Sequence, residues 1–189
     1  MSIAHPITTQ YHHAPQFERA TLGGGCFWCI EAVFTSLKGV IDVESGYAGS
    51  DYPHANYQAV CTGKTGLAEV VQILFDPSII SYEQLLAVFF TVHNPTTLNQ
   101  QGADKGTQYR SVIFTHSAEQ AAMARAAVSH AQQDWDAPIV TQIETFNHYT
   151  RAEDEHQEYF AQHPFQGYCQ ATIPPKLAKL RAQYNSLLK

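Results

Sequence analysis

The spacing of hydrophobic positions along the chain switches repeatedly between a period of two and one of about 3.6 residues, predicting alternating strands and helices. Phe17 to Leu22 reads as a short strand running into Gly23, Gly24 and Gly25. Phe27, Ile30, Val33, Phe34 and Leu37 recur at helical spacing until Gly39 supplies a stop. Val40 to Val43 predicts a strand, and Ser45 to Ser50 a glycine-bracketed loop whose one large side chain is Tyr47. The stretch from Asp51 to Gly66 is irregular, with a short helix around Asn56 to Cys61, before Glu69 to Phe75 gives a strand ended by Asp76-Pro77. Ser81 with Gln84 has the form of a capping box, ahead of a helix whose buried stripe is Leu85, Val88, Phe89 and Val92.

His93 to Gly106 offers almost nothing that could build a core, which predicts a long functional loop or lid. Tyr109 to Thr115 returns to strand character, Ser117 with Gln120 caps an alanine-rich helix to about Gln133, and Ile139 to Phe146 alternates as a strand. Thr150 with Glu153 caps a further helix to about Gln162. Pro174 and Pro175 precede a last helix with Leu177, Leu180, Tyr184 and Leu187 on one face. The expected fold class is α+β, a two-layer sandwich around a mixed sheet whose strand order does not follow from the pattern.

Length and composition narrow this picture. A chain of 189 residues fits a single catalytic domain over residues 15–189, behind a tail of residues 1–14 that lacks periodicity and is expected to be mobile. No apolar stretch approaches the roughly 20 residues of a membrane span. The net charge of -6 gives no footprint for nucleic acid or an anionic membrane. The first residues lack the basic and apolar regions of a secretory signal, so the expected location is cytoplasmic, and a monomer is expected. Four cysteines in such a chain point to redox or catalytic work more than to a disulfide framework.

The sharpest chemical signal is Gly23-Gly24-Gly25-Cys26-Phe27-Trp28-Cys29-Ile30-Glu31. A thiol in the first helical turn faces unpaired N–H groups and the positive end of the helix dipole, which favours thiolate and hence a nucleophile. The bland reading, Cys26 as a small buried hydrophobe, is the weaker of the two. A zinc site at Cys26 and Cys29 lacks a second closely spaced ligand pair, so no metal is expected. The run from His148 to His156 mixes possible ligands, but its acidic residues read as a first helical turn complementing the dipole.

Gly25-Cys26-Phe27-Trp28, Gly46-Tyr47-Ala48-Gly49, Val60-Cys61-Thr62-Gly63 with Thr65-Gly66 and Ala68-Glu69, Gly106 to Ser111, and Gly167-Tyr168-Cys169 together resemble the A-type peptide methionine sulfoxide reductases. The resemblance implies a ferredoxin-like core, reduction of the S epimer of methionine sulfoxide, free or in proteins, and regeneration by thioredoxin with no other cofactor. It implies Glu69 as the acid, Tyr47 and Tyr109 as hydroxyl donors to the sulfoxide oxygen, Phe27 and Trp28 as the methyl pocket, and Asp104 as a polar wall. Leu67 and Ala103 depart from the family's usual histidine and asparagine. Chemistry agrees independently: a sulfoxide sulfur is electrophilic but its oxygen leaves poorly, so a thiolate must attack while an acid protonates oxygen.

Attack leaves Cys26 as a sulfenic acid, which a second thiol must resolve. Cys29 is one helical turn away; Cys169 lies in the family's resolving context, in a segment with few core residues that could swing. Cys169 is preferred, with a direct Cys26–Cys29 bond or a relay through both left open. Cys61 reads as structural. Two other readings compete: a general thiol-disulfide oxidoreductase using Cys26 and Cys29, against which the bulky Phe27 and Trp28 argue, and a module that only recognises oxidised methionine.

Overall fold

The computed structural model describes residues 16–189, and the expected tail of residues 1–14 lies outside them. Eight strands are formed: β1 Glu18–Gly23, β2 Val40–Ala48, β3 Ala68–Phe75, β4 Gln100–Gln101, β5 Asp104–Lys105, β6 Val112–Thr115, β7 Gln142–Thr145 and β8 Tyr149–Arg151. The α-helices are α1 Phe27–Thr35, α2 Tyr57–Cys61, α3 Tyr82–Val92, α4 Ala118–Ala131, α5 Tyr159–Gln162 and α6 Gly167–Tyr184.

Six strands make one sheet in the order β7-β6-β1-β3-β2-β8. Its central four run β6-β1-β3-β2, all antiparallel to their neighbours, with α1 crossing from β1 to β2 and α3 from β3 to β6. That is the split β-α-β topology of a ferredoxin-like core. β7 adds to one edge in parallel and β8 to the other antiparallel. The main core, including Leu22, Ile30, Phe34, Val71, Ile73, Phe89 and Ile113, lies between the sheet and the helices. Ala48, Ala68, Val70, Val112 and Phe114 form a smaller cluster.

Local chemistry fixes the elements that frame the site. The Ser81–Gln84 capping box is complete, with the Gln84 N–H donating to Ser81 Oγ at 3.2 Å and the Ser81 N–H to Gln84 Oε1 at 2.9 Å. The expected loop over 45–50 is instead the second half of β2, paired with β3 and then β8. Gly46 fits there because the Tyr149 ring lies against it: a Cβ would fall 2.4 Å from Tyr149 Cε2.

Two further expectations are corrected. Thr150 is in β8, not at a helix cap, and only a 3-10 turn, Asp154–His156, and the one-turn α5 follow. Pro174 and Pro175 lie inside α6, which starts at Gly167 with Gln166 Oε1 accepting from the Cys169 N–H at 3.0 Å. The helix tolerates them because Gln170 and Ala171, whose carbonyls lose their donors, are exposed. The stretch from His93 to Gly106 is tied down by its own polar groups: β4 and β5 pair, and the Asn94 N–H donates to Gln101 Oε1 at 3.0 Å.

Candidate active site

Cys26 is the N-cap of α1, reached through Gly25 at φ +95, a conformation few side-chain-bearing residues adopt. No side chain of the helix's own caps it. The orphan N–H of Phe27 donates instead to Glu69 Oε2 at 3.0 Å, so the first turn of α1 holds a carboxyl group from β3 beside the thiol. Glu69 is 1% exposed. Burial pushes its pKa up to about 8, against the Phe27 hydrogen bond, with Asp104 and Cys29 adding to the rise. At neutral pH it is a protonated acid.

Register puts Tyr47 directly opposite Glu69 across β2 and β3, fully buried. Its hydroxyl donates to Glu153 Oε2 at 2.8 Å, while Glu153 Oε1 accepts from the Tyr57 N–H at 2.7 Å. Burial and then Glu153 hold the Tyr47 hydroxyl protonated; burial and then Glu69 do the same for the partly buried Tyr109. Phe27 packs against Tyr47, with ring centroids 5.7 Å apart, and Tyr57 stacks at 6.4 Å. Trp28 stacks on Tyr159 at 3.7 Å and donates Nε1–H to His156 Nδ1 at 3.2 Å. Burial lowers the His156 pKa, so the ring is neutral with its proton on Nε2. Asp104 accepts from the Tyr168 hydroxyl.

The expectation of a ready thiolate on Cys26 is overturned. Cys26 is 8% exposed, and burial first, then its hydrogen bond to Cys29 and the neighbouring Glu69, push its thiol well above the ordinary range. Cys29 is drawn down to about 7, chiefly by the hydrogen bond from Cys26 against burial. Cys169 is also corrected: it is no swinging loop residue but fully buried in the first turn of α6, its thiol pushed up by burial and by Cys29. Cys61 is exposed on α2, against the structural reading.

Cys26, Glu69, Tyr47, Tyr109, Phe27, Trp28, Asp104 and Cys29 are thus drawn to one end of α1, with Cys169 on α6 near enough to Cys29 to be affected by its charge. Glu153, Tyr57, His156, Tyr159 and Tyr168 complete the site without having been assigned from sequence. Glu153 lay in the run read as a helix start; its Tyr47 contact spans 106 residues, and no local signal announces it. Among the described residues no group of three or more His, Cys, Asp and Glu is placed to hold a metal ion, and no helix is long and apolar enough to cross a membrane.

A buried dithiol beside a neutral carboxyl group, on a ferredoxin-like α+β scaffold, defines a cysteine-based oxidoreductase that can attack an electrophilic sulfur and protonate its oxygen. The chain belongs to the peptide methionine sulfoxide reductase family, which residues 18–188 match. It is 57% identical over 176 residues to the peptide methionine sulfoxide reductase MsrA of Polynucleobacter asymbioticus, covering 92% of this chain and 93% of that one. Among solved structures it is similar to methionine sulfoxide reductase A of Corynebacterium diphtheriae, with TM-score 0.80, 33% identity and coverage of 90% and 89% of the two chains. It is also similar to Mxr1 from Saccharomyces cerevisiae in complex with Trx2, with TM-score 0.54, 25% identity and coverage of 77% and 86%.

Proposed function

We propose that the protein reduces methionine-S-sulfoxide, free and in proteins, through a sulfenic acid on Cys26, an intramolecular disulfide and thioredoxin. The observation that carries the reading is the neutral carboxyl group of Glu69, hydrogen-bonded to the N–H that follows Cys26. Glu69 gives its proton to the sulfoxide oxygen as Cys26 Sγ attacks. The oxygen passes to Cys26, the thioether leaves, and the thiol proton replaces the one Glu69 lost. The substrate sulfur is reduced by two electrons and Cys26 is oxidised by two. Tyr109, and Tyr47 once its hydroxyl turns from Glu153, donate to the oxygen where charge develops, while Phe27 and Trp28 receive the methyl group.

Cys29 resolves the sulfenic acid first, because it lies one helical turn from Cys26 at the start of α1, and the disulfide then moves to Cys169. Similarity to a relative captured with Trx2 supports thioredoxin as reductant. The four free cysteines fit a reducing, cytoplasmic setting, in which the protein acts as a monomer.

Consumption of each epimer of a blocked methionine sulfoxide with dithiothreitol tests this reading, beside a Cys26→Ser control. Reduction of the S epimer alone, lost in the control, is expected; reduction of neither epimer by fully reduced protein would reject it.

A further inference from the structure

We propose that Lys176 is the positioning residue that makes Cys29, rather than Cys169, the thiolate that condenses with oxidised Cys26. The inference rests on the reading of Cys26 as the oxidised thiol, and it deepens that reading by naming what selects its partner.

Tyr168, Thr172 and Lys176 follow one another at single-turn spacing on α6, so they share the helix face turned toward α1. Tyr168, whose hydroxyl donates to Asp104, acts on the Cys26 thiol, and Cys29 Sγ donates to Thr172 Oγ1 at 3.5 Å. Lys176 is the next turn along. Its ammonium group is held by donation to the Val92 carbonyl at 2.7 Å, at the C-terminus of α3, where carbonyls lack helical partners and the dipole favours a cation. Cys26, Cys29, Thr172 and Lys176 line one cavity of about 410 Å³, to which Glu69 and Tyr47 do not contribute. Both thiols face this cavity, and of the two Cys29 acts more strongly on the fixed cation.

The titratable groups that act on Cys29 are Cys26, Glu69, Tyr168, Cys169 and Lys176. Of these only Lys176 carries positive charge; Lys179, Asp104 and His93, the last held neutral by burial, also line the cavity. Burial pushes the lysine's own pKa down, while Cys29 and Cys26 push it back up, the reciprocal sign of an ammonium–thiolate pair. For Cys169, burial and the charge of Cys29 both raise the pKa, so it is the poorer nucleophile of the two.

The Cys29 thiolate attacks the sulfenic sulfur of Cys26, the S–S bond forms, the S–O bond breaks, and the hydroxide leaves as water, taking from solvent the one proton that Cys29 gave up on ionising. Cys29 is oxidised as the sulfenic sulfur is reduced.

Lys176→Gln removes the charge and keeps an N–H for the Val92 carbonyl; Lys176→Arg keeps the charge. Two readouts are used. The pH profile of Cys29 alkylation is measured in a Cys26→Ser, Cys169→Ser background, where the serine hydroxyl still donates to Cys29. The lifetime of the Cys26 sulfenic acid, trapped with a dimedone-type reagent after one turnover, is measured with the other cysteines present. The Gln variant should raise the alkylation midpoint by about one pH unit and so lengthen the sulfenic acid lifetime at pH 7 about fivefold more than it slows its appearance. The Arg variant should restore both.

A Gln profile that superimposes on that of the parent overturns the role of Lys176 alone. A Cys29→Ser protein that forms the Cys26–Cys169 disulfide at the parent rate overturns Cys29 as first partner, and the Lys176 proposal with it. Failure to trap any sulfenic acid in a Cys29→Ser, Cys169→Ser protein rejects the underlying reading of Cys26.

Discussion

Glu69 owes its chemistry to its neighbours more than to its identity. A carboxyl group at a strand edge facing water would be ionised at neutral pH, but this one is enclosed between the first turn of α1 and the Tyr47 strand. With its pKa up near 8, the acid is loaded at pH 7 and empties as the pH rises through that value. Sulfoxide reduction in single turnover should therefore decline above about pH 8. Glu69→Gln keeps an acceptor for the Phe27 N–H but has no proton to transfer, and it should lower the rate by about 10²–10⁴-fold, the usual range for a general acid. A stopped-quench assay of methionine formation over pH 6–10 checks both; a Gln variant within a few-fold of wild type would remove Glu69 from the acid role. Glu69 was legible only through its resemblance to the family motif. Its burial depends on Tyr47 and Phe27 arriving from other elements, which periodicity does not announce. The error about Cys26 has the same origin: the helix N-terminus was read correctly from three glycines, but the cost of enclosing a thiolate is invisible until the surrounding groups are in place.

α1 does more than present Cys26. Two turns into the helix, buried Glu31 accepts from Ser45 Oγ at 3.2 Å and from the N–H groups of Glu158 and Tyr159 at 3.0 and 3.2 Å. Glu158 sits at φ +49, so the chain turns sharply there and delivers Tyr159 onto the Trp28 ring at 3.7 Å. Glu31→Ala should strip acceptors from the buried Ser45 hydroxyl and the two part-buried N–H groups and destabilise the protein by about 1–3 kcal/mol. Hydrogen exchange at 158 and 159 should speed up, and Trp28 emission should change as its stack loosens. Unaltered protection at those two amides would show that the segment is held by something else. Most helices were legible because an amphipathic stripe and a cap are local: α3 starts where Ser81 and Gln84 said it would. The failures are the elements fixed from a distance. Second-half β2 and β8 exist because they pair with strands far away in sequence, so a glycine-rich loop and a Thr-x-x-Glu cap were the best local readings of segments whose conformation is not decided locally.

Across the whole molecule, the buried carboxyl groups and the buried histidines impose pH dependences on stability of opposite sign. Glu31 and Glu69 have their pKa values raised from 4.5 to about 7 and about 8, mainly by burial, so between 4.5 and those values the folded protein holds protons the unfolded chain has released. Stability from these two is present below 4.5 and is lost as pH rises. His93 runs the other way: enclosed between the Phe89 carbonyl and Ser111, its pKa is lowered by burial from 6.5 to about 3, and it opposes folding as pH falls below 6.5. Between 4.5 and 6.5 the two carboxyl protons of the folded state are set against the imidazole protons that His93, His116 and His156, all lowered by burial, hold only in the unfolded chain, so the opposing contributions largely cancel. From 6.5 to about 7 the unfolded imidazoles are neutral, the difference becomes two carboxyl protons, and stability falls with rising pH. Above 7, where Cys29 ionises in the folded state ahead of its ordinary value of 9.0, its gain offsets the remaining Glu69 loss and the curve flattens. Urea midpoints measured from pH 4 to pH 8 should therefore change little between pH 5 and pH 6.5 and drop toward pH 7, and a Glu31→Gln, Glu69→Gln double variant, with no carboxyl proton to release, should lose that drop. A double variant whose midpoints run parallel to those of the wild type from pH 5 to pH 7 would mean that the two carboxyl groups are ionised in the folded protein, and the acid role of Glu69 would fall with them.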